Sequence, residues 1–393
     1  MTVSGVSEGN DVVLCINSGS SSLKFAVFAL GASTERRLAD GAIEHAGGSA
    51  REFLRKDGER IERPTAGGDM HAALQAAFDL LDEARLPAPT LAGHRIVHGG
   101  SHHVAPERID SSLLASLREL IPFAPLHLPS AIAAIEAVSA RSPSLPQVAC
   151  FDTAFHATLP EVASRCPIPD RFVEAGVRRY GFHGLSYEYI MSALGPSAPK
   201  RIVIAHLGNG ASLVAVRDGR AIDTTMGLTP TGGVPMGTRT GDLDPGVMLF
   251  LARAMKLSPD ELARVVDHES GLLAVGGTSD MKSLIERRSS DARARLAVDL
   301  FAYGVRKAIG AFAAALGGID LLVFTGGIGE HAPEVRAEAC VGLGALGIEL
   351  DAEANSRSAD VISAPTSRCV VRVIATDEDR VVARHSRNAV RRG

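Results

Sequence analysis

The chain carries one short pattern twice, near its start and near its middle. Residues 14–28 read LCINSGSSSLKFAVF, and residues 204–217 read IAHLGNGASLVAVR. Without gaps, residues 18–23 fall on residues 208–213, so the copies are offset by 190 positions in a chain of 393 residues. Each copy is an apolar strand, a turn of glycine and small polar residues, and a second apolar strand. This repeat predicts a duplicated fold with two similar lobes.

Turns of this kind expose successive backbone N–H groups with few side chains in the way, which suits them to binding anions. The first turn, residues 17–24, adds hydroxyl groups and a lysine, a set that suits a phosphate or a hydrated Mg²⁺. The alternative is a polar hairpin with a lysine beside it. With one turn in each half, we expect the two lobes to grip one phosphate-bearing ligand.

Length and composition narrow the class of protein. A chain of 393 residues is longer than one hydrophobic core usually grows, so two domains are expected. The net charge of −4 gives no broad basic surface, so no nucleic-acid partner is expected. The five cysteines are scattered without a CxxC pair, which indicates a reducing, cytoplasmic location. We expect neither a signal peptide nor a membrane helix, because no suitable apolar run is present.

Hydrophobic periodicity and turn residues predict the same order of elements in both halves. In the first half we expect strands over residues 12–16, 25–29, 38–43, 92–97 and 147–151, helices over 69–84, 111–120 and 129–140, and an exposed hairpin or loop over 47–68. In the second half we expect strands over 201–206, 212–217, 221–225, 321–325 and 370–376, and helices over 245–254, 259–267, 292–316 and from about 378.

A sheet flanked by helices and present twice indicates an α/β duplication. This layout is similar to the duplicated actin-like ATPase (ribonuclease H-like) fold, with two lobes and a nucleotide cleft between them. We expect an N-terminal lobe over residues 1–152, joined by a C-terminal helix at about 380–393. A C-terminal nucleotide-binding lobe is expected over residues 153–379.

Two glycine-rich segments in the second half are candidates for nucleotide binding. Residues 206–210 (HLGNG) end a strand with two glycines that let a phosphate approach the backbone. Residues 324–330 (FTGGIGE) are a strand followed by three glycines, with a helix expected to start near Pro333. A Rossmann turn is the rival interpretation of this segment, but the G-x-G-x-x-G spacing is absent.

Two arginines stand where an anion would bind. Arg239 lies in a glycine-flanked loop, where it is placed to clamp an anion. Further along that loop, Asp244 and Pro245 are typical of a helix N-cap and first helical residue. Arg95 and Val97 share one face of a strand. A cation beside a small apolar group is what a short carboxylic acid needs.

One acid and several histidines are further candidates for catalytic or metal-binding residues. Asp152 directly follows a buried strand, a common catalytic position in α/β proteins. His183 lies between glycines in a loop, where a catalytic role competes with an ordinary surface or core position. Four histidines at 94, 98, 102 and 103 suggest a metal site, but they lack cysteine or carboxylate partners at ligand spacing.

Taken together, these segments resemble the acetate kinase (acetokinase) family. The matching phrases are INSGSSSLKF, GHRIVHGG, APLHLP, FDTAFHATLP, YGFHGLSYEYI, HLGNGASL, MGTRTGDLDPGV, FTGGIGE and TDED, in the family's order from residue 16 to residue 379. The resemblance implies the reaction ATP + acetate ⇌ ADP + acetyl phosphate, with Mg²⁺, or Mn²⁺ in its place. It also implies a homodimer.

The resemblance also implies roles for individual residues. Asn17 and Glu378 match the family's metal positions, and Arg95 matches the arginine that binds the substrate carboxylate. The catalytic positions match Asp152, His183 and Arg239. The pocket for the acetyl methyl group matches Val97, Leu126, Phe182 and Pro230. The nucleotide contacts match Lys24, His206, Leu207, Gly208, Asn209, Gly210, Asp280, Met281, Lys282, Gly327, Ile328, Gly329, Glu330 and His331.

The chemistry of the reaction agrees with these roles. A carboxylic acid with a pKa of about 4.3 is already ionised at neutral pH, so acetate needs no base. The obstacle is repulsion between the carboxylate and the triphosphate, roughly 4 kcal/mol for each pair of unit charges about 4 Å apart in a partly buried site. Cations should therefore dominate the site. Asp152 then either transfers a proton or organises arginine side chains and Mg²⁺-bound water.

Three positions depart from the family pattern. Asp-Phe-Arg is replaced by residues 280–282 (DMK), which loses the forked donors of arginine. The family's GIGEN ends here in His331. The usual Leu-Glu after Pro230 is replaced by Thr231 and Gly232, which we expect to loosen the loop leading to Arg239. We predict retained use of ATP with a modestly changed nucleotide affinity.

Two alternative functions remain open at this point. A propionate kinase or other short-chain acyl kinase would use the same machinery, although Val97 favours a small pocket. An actin-like ATP-driven interaction module would need no second, carboxylate-sized anion site, so Arg95 and Arg239 argue against it.

Overall fold

The structure, a computed structural model, describes residues 11–19, 22–32, 34–46, 49–65 and 68–392. Ser20 and Ser21, in the middle of the first repeated turn, lie outside these residues. The chain divides into two compact units. Unit 1 comprises Met1–Ala154 with Asp377–Gly393, and unit 2 comprises Phe155–Thr376.

Unit 1 is built on one mixed sheet. Its described strands are β1 (Asp11–Ser18), β2 (Ser22–Leu30), β3 (Glu35–Ala46), β4 (Ser49–Lys56), β5 (Glu59–Thr65), β6 (Leu91–Ile96), β7 (Glu107–Arg108) and β8 (Gln147–Phe151), in the spatial order β5-β4-β3-β2-β1-β6-β8-β7. The helices before unit 2 are α1 (Met70–Glu83), α2 (Ser111–Glu119) and α3 (Leu128–Arg141).

Helix α1 shows how the sequence pattern sets the core of unit 1. Asp69 caps it, accepting a hydrogen bond from the Ala72 N–H at 3.0 Å. The predicted apolar stripe, including Leu74 and Phe78, is buried against the sheet residues of β1, β2 and β3. The expected helix is therefore confirmed, and its amphipathic pattern covers one face of the sheet.

Unit 2 contains a smaller mixed sheet. Its described strands are β9 (Arg201–Leu207), β10 (Ala211–Arg217), β11 (Arg220–Thr224), β12 (Leu321–Thr325) and β13 (Val370–Val373), in the order β11-β10-β9-β12-β13. Its helices are α4 (Glu161–Ser164), α5 (Asp170–Glu174), α6 (Gly184–Leu194), α7 (Pro245–Arg253), α8 (Pro259–His268), α9 (Gly271–Gly276), α10 (Met281–Arg287), α11 (Ala292–Leu316), α12 (Gly326–His331), α13 (Pro333–Cys340) and α14 (Ala352–Ser356). The last helix of the chain, α15 (Glu378–Arg392), belongs to unit 1.

The two sheets share one topology, which confirms the predicted duplication. In each, the first two strands pair antiparallel and the first strand then pairs in parallel with a later one: β1 with β2 and β6, and β9 with β10 and β12. The order β3-β2-β1-β6-β8 is thus repeated as β11-β10-β9-β12-β13. The chain has the duplicated actin-like ATPase-type fold.

The helix predicted to start near Pro333 is confirmed, since α13 begins at Pro333. The glycine-rich segment before it, which we expected to be a loop, is instead the short helix α12, which begins at Gly326, directly at the end of the strand. Gly326 has a φ of 76°, and a Cβ there would lie 2.8 Å from the Leu207 carbonyl oxygen. Glycine at this position therefore allows the strand to turn immediately into a helix packed against β9.

Asp218 and Gly219, with φ of 50° and 78°, form the tight turn between β10 and β11. The predicted helix N-cap in the Arg239 loop is confirmed. Asp244 caps α7, whose first residue is Pro245. Across the described part of the chain, we find no helix with the length and apolar character needed to cross a membrane.

Candidate active site

The carboxyl ends of three neighbouring strands hold most of the predicted chemistry of unit 1. Asn17 lies near the end of β1, Arg95 near the end of β6, and Asp152 directly follows β8. Because β6 pairs in parallel with both β1 and β8, these positions share one edge of the sheet. Glu378, the first residue of α15, reaches the same edge.

Arg95 and Asp152 form a forked ion pair. Nη2 of Arg95 lies 2.6 Å from Oδ2 of Asp152, and Nε lies 3.2 Å and 3.1 Å from the two carboxylate oxygens. The Asp152 side chain has no exposed surface. Its backbone N–H donates to the Ile96 carbonyl at 2.9 Å, which fixes the start of the loop after β8. A buried carboxylate of this kind requires a paired cation.

The same guanidinium contacts two further oxygen atoms. Nη1 of Arg95 donates to Oδ1 of Asn17 at 3.3 Å, and Nε lies 3.5 Å from Oε2 of Glu378. Burial alone would lower the pKa of Arg95, but the charges of Asp152 and Glu378 outweigh it and raise that pKa. Arg95 is therefore a permanent cation surrounded by acceptors.

The oxygen atoms around Arg95 fit a magnesium ion. Mg²⁺ usually keeps several waters and is held by one or two carboxylates together with substrate phosphates. Asn17 offers an amide oxygen and Glu378 a carboxylate, and both lie within 3.5 Å of the same guanidinium. Lys24 is exposed on β2 and pairs in register with Asn17 across the hairpin. The residues of this edge can thus hold a hydrated, phosphate-bound cation.

The two residues of unit 1 predicted to contact a methyl group are only partly covered. Val97 packs against the cluster that contains Ile96 and Phe151. Leu126 is 36% exposed. The local structure sets the position of each residue: Val97 directly follows β6, and Leu126 lies just before α3.

Two histidines in and near β6, His94 and His103, make hydrogen bonds that hold the fold together. His94 is buried and its Nε2 lies 2.7 Å from Oε1 of Gln147. Burial lowers the pKa of His94 to about 4. His103 contacts Glu107 at 3.0 Å and Ser116 at 2.7 Å. Within the described ranges, no three His, Cys, Asp or Glu side chains are grouped to hold a metal ion.

In unit 2, His183 is held in an unusual backbone conformation. Its φ of 58° places it in the left-handed region, directly before α6. Its Nδ1 lies 2.8 Å from Oγ of Ser212, and its ring stacks on that of His206 with centroids 4.3 Å apart. A Cβ built on Gly210 would lie 3.4 Å from Nε2 of His183. The imidazole therefore presents Nε2 to the second repeated turn.

Arg239 reaches the same turn from a separate loop. A Cβ built on Gly210 would lie 3.5 Å from Nη1 of Arg239, which also donates to the Pro230 carbonyl at 3.2 Å. Gly271, with φ of 62°, lets the chain pass this loop, since a Cβ there would lie 2.7 Å from the Arg239 carbonyl. The structure thus brings His183, Arg239 and Gly210 together, as an anion site requires.

The remaining residues predicted for the methyl pocket belong to unit 2. Phe182 is fully buried, and its carbonyl accepts a hydrogen bond from Nε2 of His156 at 3.0 Å. Pro230 lies in the loop that leads to Arg239. Thr231, which we expected to loosen this loop, instead hydrogen-bonds the Asp267 carboxylate of α8. The loop is therefore tied to its neighbouring helix at that position.

A cavity of about 870 Å³ opens at the carboxyl edge of the unit 2 sheet. Eight of its lining residues are predicted nucleotide contacts: Gly208, Asn209, Asp280, Met281, Lys282, Gly327, Ile328 and His331. Asp280 also caps α10 by accepting from the Lys282 and Ser283 N–H groups. The volume and the mixed polar and apolar lining suit a nucleotide.

Other predicted nucleotide contacts lie elsewhere. Lys24 belongs to unit 1, and the part of unit 2 that the structure describes places His206, Leu207, Gly210, Gly329 and Glu330 outside the cavity lining. The Leu207 side chain is fully buried. Oε1 of Glu330 accepts from the backbone N–H groups of Gly326 at 2.9 Å and Thr376 at 3.3 Å. Glu330 therefore caps α12 and ties it to the chain after β13.

The sequence motifs missed several residues of this cavity. The lining also includes Ser279, Ile285, Glu286, Ala332, Pro333, Glu334, Ser356 and Ser358. Ser356 and Ser358 come from the end of α14, a short helix that no motif marks. A polar residue following a capped helical turn is too common a pattern to identify a site.

A buried arginine lies behind the cavity and was also missed. Arg336, on α13, is fully buried. It donates to the carbonyls of Gly329 and Glu330 at 2.8 Å and 3.0 Å, to both oxygens of Asn355 at 2.8 Å, and to Oγ of Ser358 at 2.9 Å. Burial lowers the pKa of Arg336. This one side chain thus fixes two walls of the cavity, α12 and the end of α14.

Comparison with known proteins yields consistent matches over nearly the whole chain. The model of the acetokinase family matches residues 12–384. The acetate kinase of Methylocella silvestris is 43% identical, with 95% of this chain and 96% of that one covered. The acetate kinase of Rhodopseudomonas palustris is 44% identical, with 96% and 98% covered.

Two solved structures are similar in fold and sequence. An acetate kinase from Porphyromonas gingivalis is 36% identical with a TM-score of 0.87, covering 97% of this chain and all of that one. A propionate kinase from Francisella tularensis is 34% identical with a TM-score of 0.91, covering 96% and 99%.

Proposed function

Because this chain belongs to the acetokinase family, we propose that it is an acetate kinase. It is a phosphotransferase with a carboxyl group as acceptor, and it transfers the terminal phosphoryl group of ATP to acetate, giving ADP and acetyl phosphate. The observation that carries this most directly is the Arg95 guanidinium at the edge of the unit 1 sheet. A partly exposed, permanently charged fork is suited to a small carboxylate.

The surroundings of Arg95 support a specific binding mode for acetate. Asp152 takes the Nε and Nη2 side of the guanidinium, whereas Nη1 donates to the neutral amide oxygen of Asn17 at 3.3 Å. A substrate carboxylate is a stronger acceptor than an amide, so it would take over Nη1. As contacts of the methyl group we propose Val97, one residue beyond β6, and Leu126 in unit 1, and Phe182 and Pro230 in unit 2.

We assign Asp152 the role of an organiser of charge. Acetate is ionised at neutral pH and has no proton to lose. The Asp152 carboxylate is already committed to a 2.6 Å contact with Arg95. It therefore holds the cation in place while His183 and Arg239 donate hydrogen bonds to the transferring phosphoryl group.

Asn17 and Glu378 are proposed to hold magnesium, with manganese able to replace it. When bound, the ion supplies neutralisation of charge on the phosphate oxygens. Asn17 contributes an amide oxygen fixed by β1, and Glu378 a carboxylate fixed at the first turn of α15. The cavity of unit 2 is proposed to bind ATP or ADP, with α12 and α10 as its walls and Lys24 as a further phosphate contact.

A substrate panel tests this function against its nearest alternative. Acyl phosphates trapped as hydroxamates would be measured with acetate, propionate and butyrate at matched concentrations. We expect the highest kcat/KM with acetate, because Val97 leaves less room than a smaller residue would. A higher kcat/KM with propionate would favour a propionate kinase. ATP hydrolysis that no carboxylate changes would favour an ATP-driven interaction module instead.

We also propose that the protein forms a homodimer through α7. This helix reads PGVMLFLAR, yet within the described chain none of its residues is buried, and Leu249 and Phe250 are 52% and 61% exposed. Apolar helix faces are normally covered. Light scattering should give a dimer for the native chain and a monomer for Phe250→Glu, whereas Phe172→Glu, at an exposed phenylalanine of α5, should stay dimeric. A native monomer at micromolar concentration would refute this.

We further propose lobe limits at residues 152 and 379. We also propose a cytoplasmic location and a place in acetyl-CoA biosynthesis. The reducing cytoplasm is consistent with the cysteines, since Cys15, Cys150, Cys340 and Cys369 are buried and form no disulfide among the described residues.

A further inference from the structure

A buried chain of hydroxyl groups leads to His183, and none of the roles above uses it. Oγ of Ser212 contacts Nδ1 of His183 at 2.8 Å, and the hydroxyl of Tyr187 hydrogen-bonds the same Oγ. Ser212 and Tyr187 have no exposed surface. A hydrogen bond to one imidazole nitrogen decides which nitrogen carries the proton in the neutral ring.

The local fold explains why these groups meet. His183 is the N-cap residue of α6, and Tyr187 lies one turn later, with its backbone N–H donating to the His183 carbonyl at 3.1 Å. Ser212 stands directly opposite His206 in the antiparallel pairing of β9 with β10, and His206 is the ring on which His183 stacks. The chain of contacts is therefore fixed by one helical turn and one pair of strands.

The direction of the hydrogen bonds follows from the chemistry of the groups. A phenol is a better donor than an aliphatic hydroxyl and a poorer acceptor, so the Tyr187 O–H donates to Ser212. The single proton of Ser212 is then left to donate, and Nδ1 of His183 lies 2.8 Å from its Oγ. This arrangement favours Nδ1 as the acceptor, which places the ring proton on Nε2.

We propose that Tyr187 and Ser212 are positioning residues that hold His183 as the neutral tautomer protonated at Nε2. Nε2 faces the glycine turn, 3.4 Å from the Cβ position of Gly210 and on the same side as Nη1 of Arg239. Resting on the function proposed above, this makes His183 a ready hydrogen-bond donor to the transferring phosphoryl group. A preorganised donor needs no reorientation during the reaction.

The tautomer can be observed directly, without substrate. Long-range ¹H–¹⁵N spectra of ¹⁵N-histidine-labelled enzyme distinguish a ring protonated at Nδ1 from one protonated at Nε2, and the His183 signals are identified by their loss in His183→Gln. We expect protonation at Nε2 alone in the native chain. In Ser212→Ala we expect the Nδ1-protonated form to appear. A native His183 protonated at Nδ1, or as both tautomers, would overturn the proposal.

Kinetics provide the second readout. Ser212→Ala should lower kcat at least about tenfold, equivalent to about 1.4 kcal/mol, with KM values for ATP and acetate within twofold. Tyr187→Phe should lower kcat less, since Ser212 can still donate. Tyr189→Phe, on the same helix but outside this chain of contacts, should match the native enzyme. Unchanged kcat in Ser212→Ala would overturn the proposal.

The two proposals fail in distinguishable ways. If no acyl phosphate forms but the native ring is protonated at Nε2, the proposed function is wrong and the positioning of His183 stands. If acetyl phosphate forms but the ring is protonated at Nδ1, only the positioning role is wrong.

Discussion

Nη2 of Arg95 lies 2.6 Å from Oδ2 of Asp152, and this carboxylate has no exposed surface. The pair lies where β6 and β8 end side by side, so the parallel sheet itself sets the contact. In the proposed function, Arg95 carries the cation that binds acetate, and Asp152 keeps that cation in one orientation. We therefore expect stability and catalysis to be coupled at this position.

Replacing Asp152 by asparagine should reduce both the catalytic rate and the stability of the fold. We expect kcat to fall by at least roughly 100-fold, as for loss of one preorganised charge contact. The free energy of unfolding should fall by about 3 kcal/mol, because a partly buried cation loses its fully buried partner. Asp40→Asn, which breaks a partly exposed ion pair with Arg55 in the same unit, should change neither measurably.

The pH dependence of the Asp152→Asn variant separates the two roles of this acid. As an organiser of charge, Asp152 affects the rate at every pH, so the pH profile of kcat should keep its shape. Loss of one pH-dependent limb together with the rate would mean that Asp152 transfers a proton, contrary to our assignment.

Replacing Glu378 by glutamine should weaken the use of magnesium. The neutral amide keeps an oxygen atom but loses the charge, so we expect a rise of roughly tenfold in the Mg²⁺ concentration that gives half-maximal rate. The matched control is Glu35→Gln, which removes an ion pair to Arg384 on the same helix. Equal Mg²⁺ dependence in native and Glu378→Gln enzymes would remove Glu378 from the metal site.

Replacing Arg336 should weaken nucleotide binding and leave acetate binding unchanged. In Arg336→Met the carbonyls of Gly329 and Glu330 lose their donor, so α12 is no longer fixed. Hydrogen bonds to a charged group are worth about 1.5–3 kcal/mol, so KM for ATP should rise roughly tenfold or more. KM for acetate should stay within twofold. Arg336→Lys keeps the charge and should recover part of the affinity.

Arg357→Met serves as the control for Arg336, because its guanidinium is exposed and contacts only Glu353, at 3.4 Å, among the described ion-pair partners. It should behave like the native enzyme. A KM for ATP that Arg336→Met leaves unchanged would contradict the view that this arginine shapes the cavity.

Two buried histidines should make the fold sensitive to mild acid. Burial lowers the pKa of His94 and of His156 to about 4, against an ordinary value of about 6.5. Above pH 6.5 both are neutral in the folded and unfolded chain. As the pH falls from 6.5 to 4, only the unfolded chain takes up protons, so stability is lost. The loss should reach about 3 kcal/mol for each histidine.

Urea denaturation at pH 7 and pH 4.5 measures this effect. His94→Gln should reduce the difference in unfolding free energy between the two pH values. His331→Gln, at a histidine whose side chain is 80% exposed, should leave the difference unchanged. The same pH difference in the native and His94→Gln chains would show that the histidine titrates normally.

Much of the fold could be predicted because each half repeats one local pattern. The apolar strand 147–151 and the long helix 292–316 were predicted with the bounds that β8 and α11 have in the structure. The start of α12 could not be predicted, because a segment with three glycines usually terminates a helix. Here Gly326 is needed for close packing against Leu207, a tertiary contact that propensities do not contain.

The candidate site likewise contains residues that could be predicted from the sequence and residues that could not. Arg95, Asp152 and Asn17 are predictable from strand ends, since parallel strands bring such positions to one edge. Arg336 is not, because a charged residue on a helix is usually exposed. Its burial depends on carbonyls that α12 and α14 present from distant parts of the sequence. Glu330, within a recognised motif, caps its own helix.

The most direct test of the central claim is the formation of acetyl phosphate from ATP and acetate, followed by ³¹P NMR. The account predicts an acetyl phosphate signal that grows with ADP in equal amounts, requires Mg²⁺, and disappears in Arg95→Met. ATP consumption without acetyl phosphate, or a full rate in Arg95→Met, would contradict it.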